Sequence, residues 1–209
     1  MHQSQNFNSM ILLSTAYFPP ISYISQIAKA DSVLIEAHEN FQKQSYRNRC
    51  YIAGPNNKQM LSITVIRKEG NHTPISKVAF SNQYDWKKNH WNSIITAYNS
   101  SPFFLYYQDE IKECFFASYD SLLEMNTELL KLILELMQVK TSIEFTNNFE
   151  PNSIGITDLR NIIHPKKSSL LLDNQKQYFQ VFEDRYGFLP DLSILDLLFN
   201  MGPEAVGYL

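Results

Sequence analysis

The chain lacks most of the features that announce a function. Only two of its 209 residues are cysteine, Cys50 and Cys114. A lone, widely spaced pair is no disulfide framework, so a reducing compartment is expected. Basic excess is also missing: 18 lysines and arginines face 21 aspartates and glutamates, for a formal net charge of -3. A generic nucleic-acid binder shows the opposite balance, so no nucleic acid is expected as a partner. No run approaches the ~18 apolar residues of a membrane span. The N-terminus has no basic n-region, and the apolar run Met10–Leu13 is too short for a signal sequence. The expectation is a cytoplasmic protein with no transmembrane segment. No P-loop is present, so ATP would need another phosphate site. The histidines, at positions 2, 38, 72, 90 and 164, show no paired ligand spacing, and no metal is expected. The sequence names no cofactor.

What is present is enough apolar matter for a core: 44% hydrophobic residues, with 12 tyrosines and 14 phenylalanines. The length fits one domain, or one domain with a helical annex. Residues 1–9 read as a loose polar tail, with Met10 a candidate start. Met10 to Ser14 is a short apolar run that predicts a buried strand. The loop Thr15 to Pro20 follows. Ile21, Ile24, Ile27 and Ala28 recur at helical spacing, which predicts a helix over 20–29, and Val33 to Glu36 predicts a second strand. The unit is a Rossmann-like β-loop-α-β start with parallel strands. Ligands gather at the carboxyl ends of such strands, here the 15–23 loop and the segment beginning at Glu36.

That segment concentrates charge. Glu36, His38, Glu39, Lys43, Arg47 and Arg49 fall within fourteen residues of a chain in which only 19% of residues are charged. If residues 43–49 are extended, Lys43, Ser45, Arg47 and Arg49 share one side. They would form a cationic comb for phosphate or carboxylate, because guanidinium pairs bidentately with such groups. The alternative is a half-solvated strand whose charges pair with Glu36 and Glu39.

Further on, residues 45–53 and 60–66 predict a strand pair around the turn cluster Ala53 to Asn57. Ile75, Val78 and Phe80 suggest one more strand. Asp85 caps a predicted helix to about Asn99, and Ser121 with Glu124 suggests a capping box for a helix over 121–138. The run 84–138 is therefore read as a helical annex on a mixed sheet. His90, one turn after Trp86, is either a packed histidine or a catalytic one. Residues 141–146 suggest a strand and 158–163 a short helix. Residues 178–185 fit strand or helix. The closing segment reads as a buried helix capped by Asp191 and stopped at Gly202-Pro203. Asp196 and Asn200 share one face of it with Ser193. A buried Asp196 must be paired: it could hold Arg47 or Arg49, cap another helix, or act in the site. Cys50, in an apolar strand, reads as inert.

Taken together, several motifs resemble the WbqC-like family. They are Tyr17-Phe18-Pro19-Pro20, Ile35-Glu36-Ala37-His38-Glu39, Lys43-Gln44-Ser45-Tyr46-Arg47-Asn48-Arg49, Trp86 with His90-Trp91-Asn92, Ala97-Tyr98 through Phe104, and Leu192 to Gly202. The likeness spans about 10–205, a single domain over 10–209. Many members carry a glutamine before the aromatic-proline segment, where this chain has Ser14-Thr15-Ala16. The resemblance implies a transferase of O-antigen-like surface-polysaccharide biosynthesis, passing glycine or another acyl group to an amino sugar. The expected substrate is an anionic or nucleotide-linked sugar. In that reading Lys43, Arg47 and Arg49 grip phosphate, with Tyr17 and Glu36 as further substrate contacts. His38 or His90 is the base, since an imidazole titrates near neutral pH. Asn48 or Asn200 donates to the oxyanion, and Asp196 completes the catalytic candidates. The alternative is a non-catalytic anion- or nucleotide-sugar-binding module or assembly factor.

Overall fold

A computed structural model describes residues 10–81, 85–151, 155–167 and 175–209. The expected tail over 1–9 lies outside them. The first strand, β1 (Met10–Ser14), leads through a wholly buried loop into helix α1 (Ile21–Lys29) and returns as β2 (Ser32–Glu36). Met10 pairs with Ser32 and Ser14 with Glu36, in parallel. Two later strands join the same sheet in parallel: β7 (Ser142–Phe145) beside β2, and β8 (Thr157–Asp158) beside β1. The order is β7-β2-β1-β8. Ile11, Leu13, Val33 and Ile35 fall on one face by the two-residue period and are all buried, as are Ile21, Ile24 and Ile27 of α1. Each such side chain contributes about 1.5–3 kcal/mol by leaving water.

Antiparallel strands form two separate hairpin-like sheets, and isolated antiparallel bridges join Pro20 to Ser193 and Asn40 to Pro74. β3 (Arg49–Gly54) pairs with β4 (Asn57–Ser62) across Pro55-Asn56, and β5 (Val65–Ile66) pairs with β6 (Ala79–Phe80). The helical annex is α2 (Trp86–Tyr98), α3 (Phe104–Phe116) and α4 (Leu122–Leu136). Asp85 and Ser121 cap α2 and α4 by accepting the Lys88 and Glu124 amides. Among the described residues no helix is long and apolar enough to cross a membrane.

Several expectations are corrected. Residues 43–48 are turns and bends, not strand; Gln44 sits at φ 59°, so side-chain alternation is lost and the comb does not form. Residues 157–158 are strand, and a turn rather than a helix follows, because Leu159 donates its amide to Leu12 across the sheet. Of residues 178–185 only the end is helical, in the single turn α5 (Glu183–Tyr186).

Helix α6 (Ile194–Met201) is buried through Asn200 and acts as the central post. Backbone bonds tie its start to Pro19 and its end to Phe103. Its own cap is Ser193. Asp191 instead caps α1, accepting the Ser22 amide at 2.9 Å and the Ser22 hydroxyl at 3.1 Å. Gly202 ends α6 at φ +52°, where a Cβ would meet the Phe103 ring at 2.5 Å.

Candidate functional site

Strands β1, β2 and β8 end together, at Ser14, Glu36 and Asp158. This carboxyl edge is where open parallel sheets take ligands. Two buried arginines organise it. Arg160 lies two residues past β8 and is 5% exposed. Its Nη1 donates to Glu36 Oε2 at 2.8 Å, while Nε and Nη2 reach the Asp158 carboxylate at 3.0 and 2.6 Å. Burial pushes the Asp158 carboxyl up, but the Arg160 hydrogen bonds outweigh it and hold the group below its ordinary value. Glu36 is fully buried. Its other oxygen accepts from the His38 amide and the Thr146 hydroxyl, both at 2.8 Å. A buried carboxylate is costly without such partners. Here they also fix the path of the chain into His38.

Arg47 forms the second cluster. Its Nε donates to Glu39 Oε1 at 2.8 Å, Nη2 donates to Glu39 Oε2, and Nη2 also reaches Ser14 Oγ at 2.7 Å. Asn126 of α4 donates to the Arg47 carbonyl at 2.8 Å, which fastens the 43–48 turn to the annex. Both guanidinium groups are thus spent on the protein's own carboxylates.

Outside these clusters lies a cleft of about 570 Å³. Its walls are the 38–43 segment, Asn71, the Phe149–Pro151 stretch and Arg160-Asn161. The amides of Asn40, Gln42, Asn71 and Asn161 line it. His38 and Lys43 are exposed on it, and neither side chain has a hydrogen bond or ion pair among the described residues. The cleft therefore offers neutral donors and acceptors in number, one imidazole and one ammonium. A second cleft of about 560 Å³ lies over the start of α2. The Lys87 ammonium already bonds the Ala117 carbonyl at 2.7 Å there, and no histidine lines it.

Of the residues singled out from the sequence, Glu36, His38, Lys43 and Arg47 come to this edge. The others lie elsewhere. Tyr17 is fully buried, and its hydroxyl lies 2.9 Å from His90 Nδ1. His90 also bonds the Ser62 backbone, and burial pushes it down to about 4. The imidazole is neutral near pH 7, shares a hydrogen bond with the Tyr17 hydroxyl through Nδ1, and does not line the cleft. Asn48 donates to the Ile63 carbonyl and Asn200 to the Asp196 carbonyl, so the donors expected for an oxyanion are spent inside the fold. Arg49 starts β3 opposite Ser62 and is outside the cleft lining. Asp196 does not meet either arginine; Tyr178 and Gln180 donate to it at 2.6 and 2.9 Å.

The helix start where doubly wound folds bind phosphate is closed as well. In α1 the Ser22 amide is already given to Asp191. Residues that the sequence reading missed are Arg160, Asp158, Asn161, Asn71 and Phe149. The one signal was the Asp158-x-Arg160 spacing at a strand end, which puts both side chains on one side of an extended chain.

The fold and the edge define an α/β protein with a cleft at the carboxyl ends of a short parallel sheet. Residues 15–167 match the WbqC-like protein family, and the chain belongs to it. An uncharacterised protein of Mycobacterium tuberculosis, Rv1507c, is 24% identical over 225 aligned positions, covering 95% of this chain and 96% of that protein. No solved structure gives a significant match.

Proposed function

We propose that the chain is a transferase of surface-polysaccharide biosynthesis that acylates an amino sugar bound in the carboxyl-edge cleft. The observation that carries this reading is the cleft's lining: one unpaired imidazole, His38, set among four side-chain amides. Amides pair readily with sugar hydroxyls because each offers both donors and an acceptor. Lys43 suits a phosphate on the sugar as a point charge. The sugar amine attacks the carbonyl carbon of an activated aminoacyl donor, glycine being the first candidate. His38 accepts the proton that the amine sheds, and the donor's leaving group departs with its electron pair. Asn161 or Asn40 replaces Asn48 and Asn200 as the oxyanion donor. Family membership supports the pathway.

The test is product formation. Purified protein is incubated with nucleotide-linked amino sugars and an activated glycine, and the sugar is followed by mass spectrometry. His38→Ala is expected to cut turnover by about 10²–10⁴-fold, the usual worth of a general base. Turnover unchanged in His38→Ala removes that residue from the chemistry. A second reading, a non-catalytic sugar-binding module, is favoured by one observation: among the described residues no carboxylate or hydroxyl orients the His38 ring. Binding of the sugar without any acylated product, across all donors, decides for the module.

A further inference from the structure

Phe149 is a large apolar side chain 49% exposed on the cleft, and it is outside the hydrophobic core. Its position is nonetheless fixed. The Arg160 guanidinium lies over its ring, 5.3 Å from the centroid. The same guanidinium donates through Nη2 to the carbonyls of the next two residues, Glu150 at 2.8 Å and Pro151 at 3.4 Å. Arg160 is itself held by Glu36 and Asp158. The ring is therefore held by a buried group that is itself tied to two carboxylates, and it stands beside the amides of the cleft. A rigid aromatic ring left half in water forgoes hydrophobic stabilisation, and nothing in the core gains from it.

We infer that Phe149 is the stacking platform of the cleft, and that the ligand is a pyranose lying with its apolar C–H face on this ring. The inference rests on the sugar-site reading above and names the ring geometry that the site selects. Aromatic faces carry negative potential and attract the weakly positive C–H groups of a sugar face. Hydroxyls around the rim of the pyranose then meet Asn40, Asn71 and Asn161, and an anomeric phosphate meets Lys43. Phe41, the other aromatic residue of the cleft, is 5% exposed and too deeply buried to present a face.

The experiment is titration calorimetry with N-acetylglucosamine 1-phosphate and with free N-acetylglucosamine, against wild type, Phe149→Ala, Phe149→Trp and Lys43→Ala. Phe149→Ala is expected to weaken both probes about three- to tenfold, the worth of one aromatic contact. Phe149→Trp is expected to retain or improve binding. Lys43→Ala is expected to weaken the phosphate probe and spare the free sugar. Melting temperatures of the Phe149 variants should match wild type, since the ring is outside the core. Equal binding by wild type and Phe149→Ala overturns the platform and leaves the sugar cleft standing. No binding of either probe by wild type overturns both.

Discussion

Among the described residues two carboxylates are fully buried, Glu36 and Asp196, and the fold treats them in opposite ways. Glu36 ends a strand at the carboxyl edge of the sheet and has an arginine. Asp196 sits in the first turn of a buried helix and has, among the described residues, two tyrosines, Tyr178 and Tyr98, and a glutamine but no cation. Hydroxyl and amide donors compensate a buried charge less fully than guanidinium does. Burial accordingly pushes Asp196 up to about 6, despite the hydrogen bonds that work against it. Charge at the sheet edge is met by a guanidinium, whereas in the helix that holds the fold together burial makes it costly.

Breaking the edge pair should have the largest effect. Arg160→Ala strips Glu36 and Asp158 of their cation and frees the Glu150 and Pro151 carbonyls. Loss of one partner of a buried pair costs about 3–5 kcal/mol, read as a fall in the urea midpoint. Replacing both members, as Arg160→Met with Glu36→Leu, should restore only part of that stability, because Asp158 and the Glu150 and Pro151 carbonyls stay without their cation. Acid should also weaken this edge. Asp158 has a depressed folded value, so its contribution is present above the unfolded carboxylate range and is lost as pH falls through the folded value.

The Asp196 side of the comparison has the opposite sign. Its folded value is raised, so the fold binds the proton more tightly than the unfolded chain. Stability from this residue is greatest below about pH 4 and is lost as pH rises toward 6. The shift from 3.8 to about 6 corresponds to a loss on the order of 3 kcal/mol above pH 6. His90 runs the other way in the same window. Lowered to about 4 by burial, it favours the fold at neutral pH, and that contribution is lost as pH falls from about 6.5 to 4. In the wild type the two slopes largely cancel. Asp196→Asn should expose a stability that rises with pH between 4 and 6.5, and His90→Gln one that falls. Parallel pH profiles of the two variants, measured as melting temperatures, would break the comparison.

How much of this could be read in advance follows the same division. Strands β1 and β2 and helix α1 were legible to within a residue because apolar period and loop chemistry are local signals. So were the annex helices, through Asp85, Ser121 and their apolar stripes. The edge was legible in part. Glu36 and His38 sit at a strand end that the β-loop-α-β pattern already marks as a ligand position. The arginine partner of Glu36 was not legible, because it lies 124 residues away. Strand β8 is two residues long and carries no period to detect. The cationic comb was misread because one left-handed residue, Gln44, cancels the alternation on which it depended. Asp191 was recognised as a helix cap but assigned to the wrong helix, since capping chemistry names the donor type and not the helix that supplies it.

The smallest effects on stability belong to the residues with most to do in the cleft. His38 and Lys43 are exposed and make no side-chain bonds among the described residues. Truncating either should change folding stability by less than about 0.5 kcal/mol, the range of surface positions without special contacts. Residues whose removal leaves the fold intact but removes ligand or turnover are functional in the strict sense. Those whose removal unfolds the edge, such as Arg160, act through position. Paired melting and binding curves for Lys43→Ala and Arg160→Ala separate the two. Lys43→Ala should lose the phosphate-bearing probe at an unchanged melting temperature. Should Lys43→Ala melt as early as Arg160→Ala, Lys43 belongs with the structural clusters behind the cleft, and the sugar phosphate must be met by another group.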